Sequence, residues 1–520
     1  MAIGQDFSID ENKDTVFAQR SFLSRHPVYY YHDDNNCFCG TTIAEVISKS
    51  GIEKEIDPEA VQLYLSFSCL PGNKTFFKGI KKLLPGSSLT FQSGSLQIQE
   101  NHLKTDLEYQ DIQTVASEII ECVSSKVRSQ PCGFSMLSSG VDSSLLAALG
   151  KVHDTFTSEY DIPGFSECEA AANFAGSIGA RHHRVLIDPM EYLEAARKMT
   201  EILEQPIGDP SVPAYYLLCR SIHEYTDICY SGEGIDEFFC GYTNYVDYQK
   251  MLDYEQLPSS LRRDIGEIAK QPDQNKGYQR LIDLLDYEQL PSSLRRAIGE
   301  IAKQPDQNKL PRILSRYDGF VLDGHEYKGN TCVFSEAEKK QLLKNYTGTD
   351  SLHTLLSQLY SGCEEVGILE RMQIFDIRAS FDASILFCST RLAESIGLNV
   401  LMPYCSEELL RLGIQIPMCM KVRDDYTKYV FRLAAENVLP KKNAWQSKKG
   451  FPVPVRVWMK DPAFFSAMEN ALTGDTAQKI FNTDQCQQLL IAFQNAKEDK
   501  VIWRKIWVLY CLIIWFNSQI

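Results

Sequence analysis

Short apolar runs alternate with longer amphipathic segments through the middle of the chain. Four of these runs predict buried strands: GFSML (133–137), TFTSEY (155–160), HHRVLID (182–188) and YTDICYSGEG (225–234). Two segments with helical periodicity stand beside them: VASEIIECVSSKVRS (115–129) and SECEAAANFAGSIGA (166–180). Strands that alternate with helices predict an α/β fold built on a doubly wound parallel sheet.

The pattern on either side of this region is different. Residues 1 to about 105 predict mostly strands with short turns, as in HPVYYYHDD (26–34) and LTFQSGSLQIQE (89–100). From about residue 245 the pattern predicts mostly helices. The chain of 520 residues is too long for one ordinary core. We therefore expect a β-rich domain over 1–110 and a larger α/β domain with a C-terminal helical region over 111–520.

One segment occurs twice. The 25 residues 252–276 recur at 285–309, and only Asp264 differs, because Ala297 replaces it. Two copies this similar do not form a solenoid, whose repeats diverge and stack in larger numbers. We interpret the repeat as a recent segmental duplication or an error of gene assembly. It falls in a helical surface insertion expected at about 245–370.

The composition of the chain limits the kinds of partner that the protein can bind. The net charge of −15 and the pI near 5.2 argue against nucleic acid and anionic membranes. Sixteen scattered cysteines without zinc spacing indicate free thiols in a reducing cytoplasm. The apolar run IWVLYCLIIWF (506–516) is too short to cross a bilayer. It predicts a buried terminal helix or a contact between the subunits of a homo-oligomer.

The stretch LSSGVDSS (137–144) is the first candidate for chemistry. It follows a predicted strand and precedes a predicted helix, where backbone amides and the helix dipole attract an anion. A plain helix cap would need one serine, whereas a phosphate site uses them all. Asp142 would repel a phosphate unless a cation lay between them, which implies Mg²⁺. The candidate phosphate residues are Ser138, Ser139, Gly140, Asp142, Ser143 and Ser144.

A second polar stretch, SGEGIDEFFCGY (231–242), also follows a predicted strand. It carries Glu233, Asp236 and Glu237. Because Asp142 and Asp236 each lie just past a strand end, both can converge on one metal–phosphate cluster. The alternative is a solvated acidic turn.

These stretches resemble the synthetase domain of the asparagine synthetase family, a branch of the PP-loop ATP pyrophosphatases. The family's SGGxDSS loop corresponds to residues 138–144, and its SGEGxDExFxGY stretch corresponds to residues 231–242, with Cys240 in a usual glycine position. Four further segments match: EQPIGDPSVPAYYL (204–217), the segment from 166 to 185 with Glu167 and His183 in register, KYVFRLAAENVLP (428–440) and KKGFPVPVRVW (448–458). The resemblance covers about residues 114–460.

The resemblance implies an ATP-dependent ligase. A substrate carboxylate attacks the α-phosphorus of ATP, pyrophosphate leaves, and ammonia or an amine displaces AMP from the acyl-adenylate to give an amide. The charge on the leaving pyrophosphate requires Mg²⁺, loop amides and a lysine.

The resemblance also implies a role for individual residues. Asp142 and Asp236 would hold Mg²⁺, and residues 138–144 would cradle pyrophosphate. Ser231 and Gly232 would line the AMP side, and Lys448 would reach the phosphates. Glu233 stands where the asparagine-forming enzymes keep a glutamate for the proton of the amine. Lys428 and Arg432, four residues apart, either assist at the phosphates or lie on a solvated helix face.

The N-terminal region departs from the family pattern. The family begins with a glutaminase domain of the Ntn type whose nucleophile is an N-terminal cysteine, whereas this chain begins Met-Ala-Ile-Gly. Cys37 and Cys39 lie inside the chain and cannot use their own α-amine as a base. We expect residues 1–110 to form a shortened glutaminase-like domain without its nucleophile. Ammonia would come from solution or from a separate amidotransferase subunit.

The segments expected to recognise the substrate acid also depart from the family pattern. Asn399, Leu401, Ser406 and Gln446 replace charged residues of the family. A leucine cannot replace an arginine that holds a carboxylate with two hydrogen bonds. These changes predict a rewritten pocket and a specialised amide ligase for a small-molecule, peptide or carrier-bound acid, such as one in natural-product biosynthesis.

The sequence alone leaves several alternative functions open. β-Lactam synthetases and lasso-peptide cyclases have a similar organisation, but the β-lactam type carries tyrosine at the position of Glu233. A catalytically inactive scaffold is a second possibility, and an asparagine synthetase that uses ammonia is a third. A sulfur transferase acting on tRNA is disfavoured by the acidic charge and the absence of paired CxxC motifs.

Overall fold

The computed structural model describes residues 6–12, 15–101, 111–255, 333–362, 366–446, 450–495 and 501–519. The strands are β1 Phe7–Glu11, β2 Thr15–Arg20, β3 Tyr29–His32, β4 Cys37–Gly40, β5 Lys81–Lys82, β6 Ser87–Gln92, β7 Ser95–Glu100, β8 Phe134–Met136, β9 Asp154–Glu159, β10 Arg181–Leu186, β11 Ile228–Tyr230 and β12 Asn399–Leu401. The helices before the long gap are α1 Ile43–Ser50, α2 Pro58–Phe67, α3 Ile112–Ser129, α4 Val141–Gly150, α5 Cys168–Ser177, α6 Pro189–Leu203, α7 Ser211–His223, α8 Ile235–Phe238 and α9 Thr243–Glu255. Those after it are α10 Glu336–Leu342, α11 Asp350–Leu359, α12 Ile368–Phe375, a π-helix Asp376–Leu386, α13 Phe387–Glu394, α14 Glu407–Gln415, α15 Met418–Lys421, α16 Tyr429–Ala435, α17 Lys441–Ala444, α18 Val455–Trp458, α19 Pro462–Thr473, α20 Asp475–Ile480, α21 Thr483–Asn495 and α22 Ile502–Gln519.

Two antiparallel sheets form most of the N-terminal region. The first has the order β1-β2-β6-β7 and the second the order β4-β3-β5. The expectation of mostly strands missed α1 and α2. The signals for α1 were nevertheless present, because Thr42 caps its N-terminus and Gly51 ends it with a φ of +69°.

A five-stranded sheet with the order β10-β9-β8-β11-β12 organises the larger domain, and every strand pair in it is parallel. Helices α4 and α5 pack against β8, β9 and β10, and α7 packs against β9. The predicted alternation of strands and helices around a parallel sheet is confirmed. Counted along the chain, the strand order is 3-2-1-4-5, so it reverses between β8 and β11. Ligands of such sheets bind beyond the carboxyl ends of the strands at this reversal.

The C-terminal helix α22 is an internal element of the fold. All residues from Ile506 to Phe516 are buried. The hydroxyl of Tyr64 donates a hydrogen bond to the carbonyl of Val508 at 3.0 Å, and Phe76 packs on Trp515 with ring centroids 4.7 Å apart. The prediction of a buried terminal helix is confirmed, and the chain itself covers the apolar surface that suggested a contact between subunits. Among the described residues, no helix is long and apolar enough to span a membrane.

Helices dominate residues 333–519, as the pattern predicted, with β12 as a strand between α13 and α14. Most of the expected insertion lies in residues 256–332, outside the described residues. Apart from residues 252–255 at the end of α9, both copies of the duplication lie there too. The domain boundary expected at about residue 110 adjoins residues 102–110, which are not described, and it stays a prediction.

Candidate active site

The loop after β8 is folded by its own serines. The backbone amide of Ser138 donates to Oγ of Ser143 at 2.9 Å, and the two hydroxyl oxygens are also 2.9 Å apart. The amide of Gly140 donates to Oγ of Ser138 at 3.1 Å. Gly140 is the N-cap of α4, and no side chain caps the helix. The single-serine cap is therefore excluded, and Ser138 and Ser143 shape a turn that presents the start of α4.

The other serines of this loop are also buried. Ser139 and Ser144 are each less than 9 % exposed, and Oγ of Ser144 has no hydrogen-bond partner. A buried hydroxyl without a partner is costly unless a ligand or water satisfies it. This hydroxyl is consistent with the phosphate-binding role expected from the sequence.

The loop after β11 packs directly against the loop after β8. The amide of Ser231 donates to the carbonyl of Leu401 at 2.9 Å, which ties this loop to the end of β12. A Cβ at Gly232 would lie 3.4 Å from the amide nitrogen of Ser143 and 3.6 Å from the carbonyl carbon of Asp142. Glycine thus allows the two backbones to approach closely. The predicted convergence of the two loops is confirmed.

Lys428 lies between the two aspartates. Its Nζ is 2.5 Å from Oδ2 of Asp142 and 2.8 Å from Oδ1 of Asp236. The lysine side chain is 1 % exposed, and the aspartates are 16 % and 18 % exposed. Neither a solvated acidic turn nor a solvated face at Lys428 fits this arrangement, so both alternatives are wrong.

Backbone conformation and a glycine hold this trio in place. Lys428 precedes α16 with a φ of 55°, a left-handed conformation that few non-glycine residues adopt. A Cβ at Gly241 would lie 1.9 Å from Oδ1 of Asp236 and 2.2 Å from Cε of Lys428. Only glycine leaves room for the ion pair at this position. Gly241 belongs to the stretch 231–242 that the sequence singles out, but its place beside the ion pair was not predicted.

Arg432 does not lie on a solvated face either. It is 3 % exposed and donates hydrogen bonds to the carbonyls of Thr427, Ala444 and Gln446 at 2.8, 2.8 and 2.9 Å. Burial lowers the pKa of Arg432, although Asp142 and Asp236 oppose that effect. These contacts join the turn that carries Lys428 to the segment preceding residues 447–449. Lys448 lies outside the described residues.

A cavity of about 440 Å³ opens beside the two loops. Its apolar surface comes from side chains such as Phe156, Tyr160, Phe165, Tyr215 and Leu218. Its acidic residues are Asp142, Glu167, Asp209, Glu233, Asp236 and Glu237. Of the described residues that line it, none is lysine, arginine or histidine. A negatively charged ligand here therefore needs a metal ion or cations from beyond this lining.

Other predicted residues separate into those at the cavity and those away from it. Glu167 and Glu233 line the cavity, whereas His183 contacts Asp154 at 2.6 Å at the start of β9. Burial opposes ionisation of Asp154, but hydrogen bonds from Arg181, His183 and His153 lower its pKa to about 2. His183 thus belongs to an ion cluster at the opposite end of the strands.

The site fits a magnesium ion bound together with phosphates. Oδ1 of Asp142 is buried without a hydrogen-bond partner, while Oδ2 of the same carboxylate contacts Nζ of Lys428. Mg²⁺ in such sites takes one or two carboxylates and fills its other positions with phosphate oxygens and water. Among the described residues, no group of three or more His, Cys, Asp or Glu side chains is placed to hold a metal ion. Two carboxylates match the small number of protein ligands that Mg²⁺ takes when phosphates supply the others.

The four substituted acceptor positions lie outside the cavity lining. Asn399 is exposed at the start of β12, and Ser406 caps α14 by accepting a hydrogen bond from the amide of Leu409 at 3.3 Å. Leu401 and Gln446 contribute backbone carbonyls to Ser231 and Arg432. The expectation of a rewritten pocket is corrected for the described lining: strand direction and capping keep the side chains of Asn399 and Ser406 out of it, and Leu401 and Gln446 make their contacts through backbone carbonyls.

Tyr404 is a further residue that the sequence reasoning missed. It is fully buried, and its hydroxyl donates a hydrogen bond to the carbonyl of Asp142 at 2.7 Å. Tyr404 follows β12, so three neighbouring strands contribute to the position of Asp142. No local pattern around residue 404 signals this contact.

Comparison with known proteins agrees with this geometry. A family model described as asparagine synthase matches residues 114–517, and one described as a glutamine amidotransferase domain matches residues 7–102. The chain belongs to the asparagine synthetase family. Membership makes it a ligase of the AMP-forming type that makes C–N bonds.

Individual relatives are distant. Asparagine synthetase [glutamine-hydrolyzing] 1 of Bacillus subtilis is 25 % identical over 98 % of this chain and 76 % of its own length. A putative asparagine synthetase [glutamine-hydrolyzing] of Mycobacterium tuberculosis is 23 % identical over 91 % of this chain and 69 % of its own length. The amidase chyE of Penicillium rubens is 25 % identical over 50 % of this chain and 44 % of its own length.

Proposed function

We propose that the chain is an ATP-dependent amide ligase of the PP-loop type. It adenylates a substrate carboxylate, releases pyrophosphate, and couples the acyl group to ammonia or an amine with release of AMP. The observation that carries this proposal is the buried trio of Asp142, Lys428 and Asp236 at the point where the strand order reverses. Two carboxylates and a lysine beside an uncapped helix are suited to a metal-bound triphosphate.

In the adenylation step, a carboxylate oxygen of the acid forms a bond to the α-phosphorus as the bond to the β-phosphate bridge breaks. The amides of residues 138–144 and the start of α4 would bind the departing pyrophosphate. Ser231 and Gly232 would line the AMP side. Asp142 and Asp236 would hold Mg²⁺, which when bound supplies positive charge against the leaving group. Lys428 and Lys448 would add positive charge at the phosphates.

In the second step, the amine attacks the acyl carbon and AMP leaves with the bonding electrons. Glu233 follows Gly232 in the loop after β11 and lines the cavity, and it would accept the proton that the amine loses. Tyr242 donates a hydrogen bond to Glu237 within the same lining. Burial, followed by the charge of Glu237, raises the pKa of Tyr242, so it remains a donor. These groups would order the amine side of the cavity.

We place the nitrogen source outside this chain's own thiols. Cys37, Cys39 and Cys69, the cysteines of the described N-terminal residues 6–12 and 15–101, are all buried. Burial also raises the pKa of Cys69 to about 12, so its thiol stays protonated. Ammonia from solution, ammonia from a separate amidotransferase subunit, or an amine substrate then supplies the nitrogen. The glutamine amidotransferase-like domain would serve as a structural layer.

A second candidate is an asparagine synthetase that uses ammonia. The position of Asn399 and Ser406 outside the cavity lining favours it, because neither substitution changes a described side chain of the cavity. A role in natural-product or peptide amidation, the homo-oligomeric state and the cytoplasmic location stay predictions.

ATP–pyrophosphate exchange with Mg²⁺ tests the proposal. The acids would include L-aspartate first, then a panel of amino acids, peptides and carrier-bound acids, with ammonia, glutamine and amines added afterwards. We expect exchange that requires one acid and disappears in Asp142→Asn. Absence of exchange together with absence of Mg–ATP binding by calorimetry would favour the inactive scaffold instead.

A further inference from the structure

A single continuous helix separates the N-terminal domain from the cavity. It consists of the π-helix Asp376–Leu386 followed by α13 Phe387–Glu394, and we call it the wall helix. Four of its residues line the cavity: Ser384, Ile385, Cys388 and Ser389. The carbonyl of Ser389 also accepts a hydrogen bond at 3.2 Å from the hydroxyl of Tyr215 of α7, which lines the cavity as well.

The other side of the wall helix contacts the N-terminal domain. Asp382 pairs with Arg20 of β2 and, at 3.4 Å, with Nζ of Lys82 of β5. All three side chains are less than 9 % exposed, and Arg20 also donates to the carbonyl of Leu83 at 3.1 Å. Burial opposes ionisation of Asp382, but Arg20 and Lys82 lower its pKa, so it is a carboxylate.

Two further contacts continue along the same side. Nε of Arg25 donates to Oγ1 of Thr390 at 3.3 Å. Nε2 of His26 lies 3.0 Å from Oε1 of Glu394, whose side chain is 39 % exposed. The buried cluster at Asp382 and the more exposed pair at Glu394 thus both join the wall helix to the N-terminal domain.

The spacing on the wall helix links its two sides. Ser384 follows Asp382 by two residues, about half a turn of a π-helix, so one faces the cavity and the other the N-terminal domain. A buried charge cluster cannot separate without leaving an unpaired charge, which is strongly unfavourable. Packed interiors also transmit small displacements. A change at the contact between Asp382 and Arg20 is therefore expected to reach Ser384 and Ile385.

We propose that the N-terminal domain sets the shape of the acid side of the cavity through the wall helix, with Asp382 as the positioning residue. The loops after β8 and β11, together with Phe156 and Thr157 of β9, border the side expected to take ATP. The wall helix contributes to the rest of the lining, together with residues of α7 and residues 450–452, and we assign the acid to this part. The domain thereby acts on substrate specificity without hydrolysing glutamine. This inference rests on the proposed amide-ligase function.

Asp382→Asn tests the proposal, and Glu394→Gln is the matched control. Both replace a carboxylate of the wall helix that pairs with the N-terminal domain, but only Asp382 is buried. We expect Asp382→Asn to raise the KM of the acid in pyrophosphate exchange by about tenfold or more, since small misplacements in a site cost this much. Its affinity for Mg–ATP by calorimetry should stay within about twofold of the wild type. Glu394→Gln should change neither.

A structural measurement on the same proteins keeps the inference separate from the function. Hydrogen–deuterium exchange should rise in peptides covering 384–392 of Asp382→Asn and stay unchanged in peptides covering 141–150. A variant with Arg20→Met, Lys82→Met and Asp382→Leu removes the charges while keeping an apolar interface. Normal thermal stability of this triple variant with a raised acid KM would support positioning over a role in folding alone. Equal changes in acid KM and ATP affinity would overturn the proposal. Unchanged hydrogen–deuterium exchange over 384–392 would overturn it even if the wild type shows no ligase activity.

Discussion

Nζ of Lys428 lies 2.5 Å from Oδ2 of Asp142, although 286 residues separate them in sequence. Asp236 completes the trio from a second loop. The lysine compensates two partly buried carboxylates that would otherwise repel each other. This ion pair joins α16 to the start of α4 at the centre of the candidate site.

Removal of the lysine charge should destabilise the fold. We expect Lys428→Met to lower the free energy of unfolding by about 3 kcal/mol, because breaking a buried ion pair leaves the carboxylates uncompensated. Chemical denaturation at neutral pH measures the change. Lys442→Met removes an exposed lysine from α17 nearby and should be neutral. Equal stability of the two variants would contradict the role given to Lys428.

Magnesium should restore part of that stability. In the wild type, the ammonium of Lys428 already holds an oxygen of each aspartate, so Mg²⁺ without nucleotide should raise the melting temperature little. In Lys428→Met, the two carboxylates are available to a divalent cation, so millimolar Mg²⁺ should raise it by several degrees more. Thermal unfolding with and without MgCl₂ compares the two proteins. Equal shifts of the melting temperature in both proteins would contradict this role of Lys428.

Gly241→Ala tests the close packing around the trio. Its Cβ would lie 1.9 Å from Oδ1 of Asp236, so the carboxylate or Lys428 must move. We expect loss of pyrophosphate exchange and a weaker affinity for Mg–ATP, both measured on the purified protein. Gly176→Ala in α5 is the control, because nothing lies within 4 Å of its added Cβ. That control should be neutral or stabilising by up to about 1 kcal/mol.

The contact between His26 and the wall helix predicts a pH dependence. Hydrogen bonds with Asp6 and Glu394 raise the pKa of His26 from 6.5 to about 9. Because the folded state binds this proton more tightly, the stabilisation is fully present below pH 6.5 and is lost as the pH rises to about 9. Denaturation midpoints measured across this range should fall with pH. In His26→Gln this part of the slope should disappear, and an unchanged slope would rule out the contribution.

Much of the larger domain could be predicted from sequence because its strands are short apolar runs that end in polar loops. The loops that carry Asp142 and Asp236 were found for this reason, and their convergence followed from the parallel sheet. The family resemblance indicated Lys428 as a candidate site residue, but it did not predict that the lysine lies between the two aspartates. That contact is long-range and depends on the left-handed backbone at residue 428 and on Gly241.

Other features escaped sequence reasoning for physical causes. Helices α1 and α2 carry ordinary caps, but the strand-like runs around them dominated the pattern. Asn399 was assigned to the pocket by its place in a motif, whereas strand direction places it at the start of β12, away from the carboxyl end where the site lies. The sequence did not predict that the wall helix lies between the N-terminal domain and the cavity. Its two sides are defined by contacts with distant segments such as Arg20 and Tyr215.

The most direct test of the central claim is the affinity for Mg–ATP, measured by calorimetry without any acid. We expect Asp142→Asn to lose at least about tenfold in affinity, since it removes a carboxylate proposed to hold the metal. Asp227→Asn, an exposed carboxylate before β11 at the opposite end of the same sheet, should bind like the wild type. Equal affinity in the wild type and Asp142→Asn would show that the trio of Asp142, Lys428 and Asp236 is not the nucleotide site.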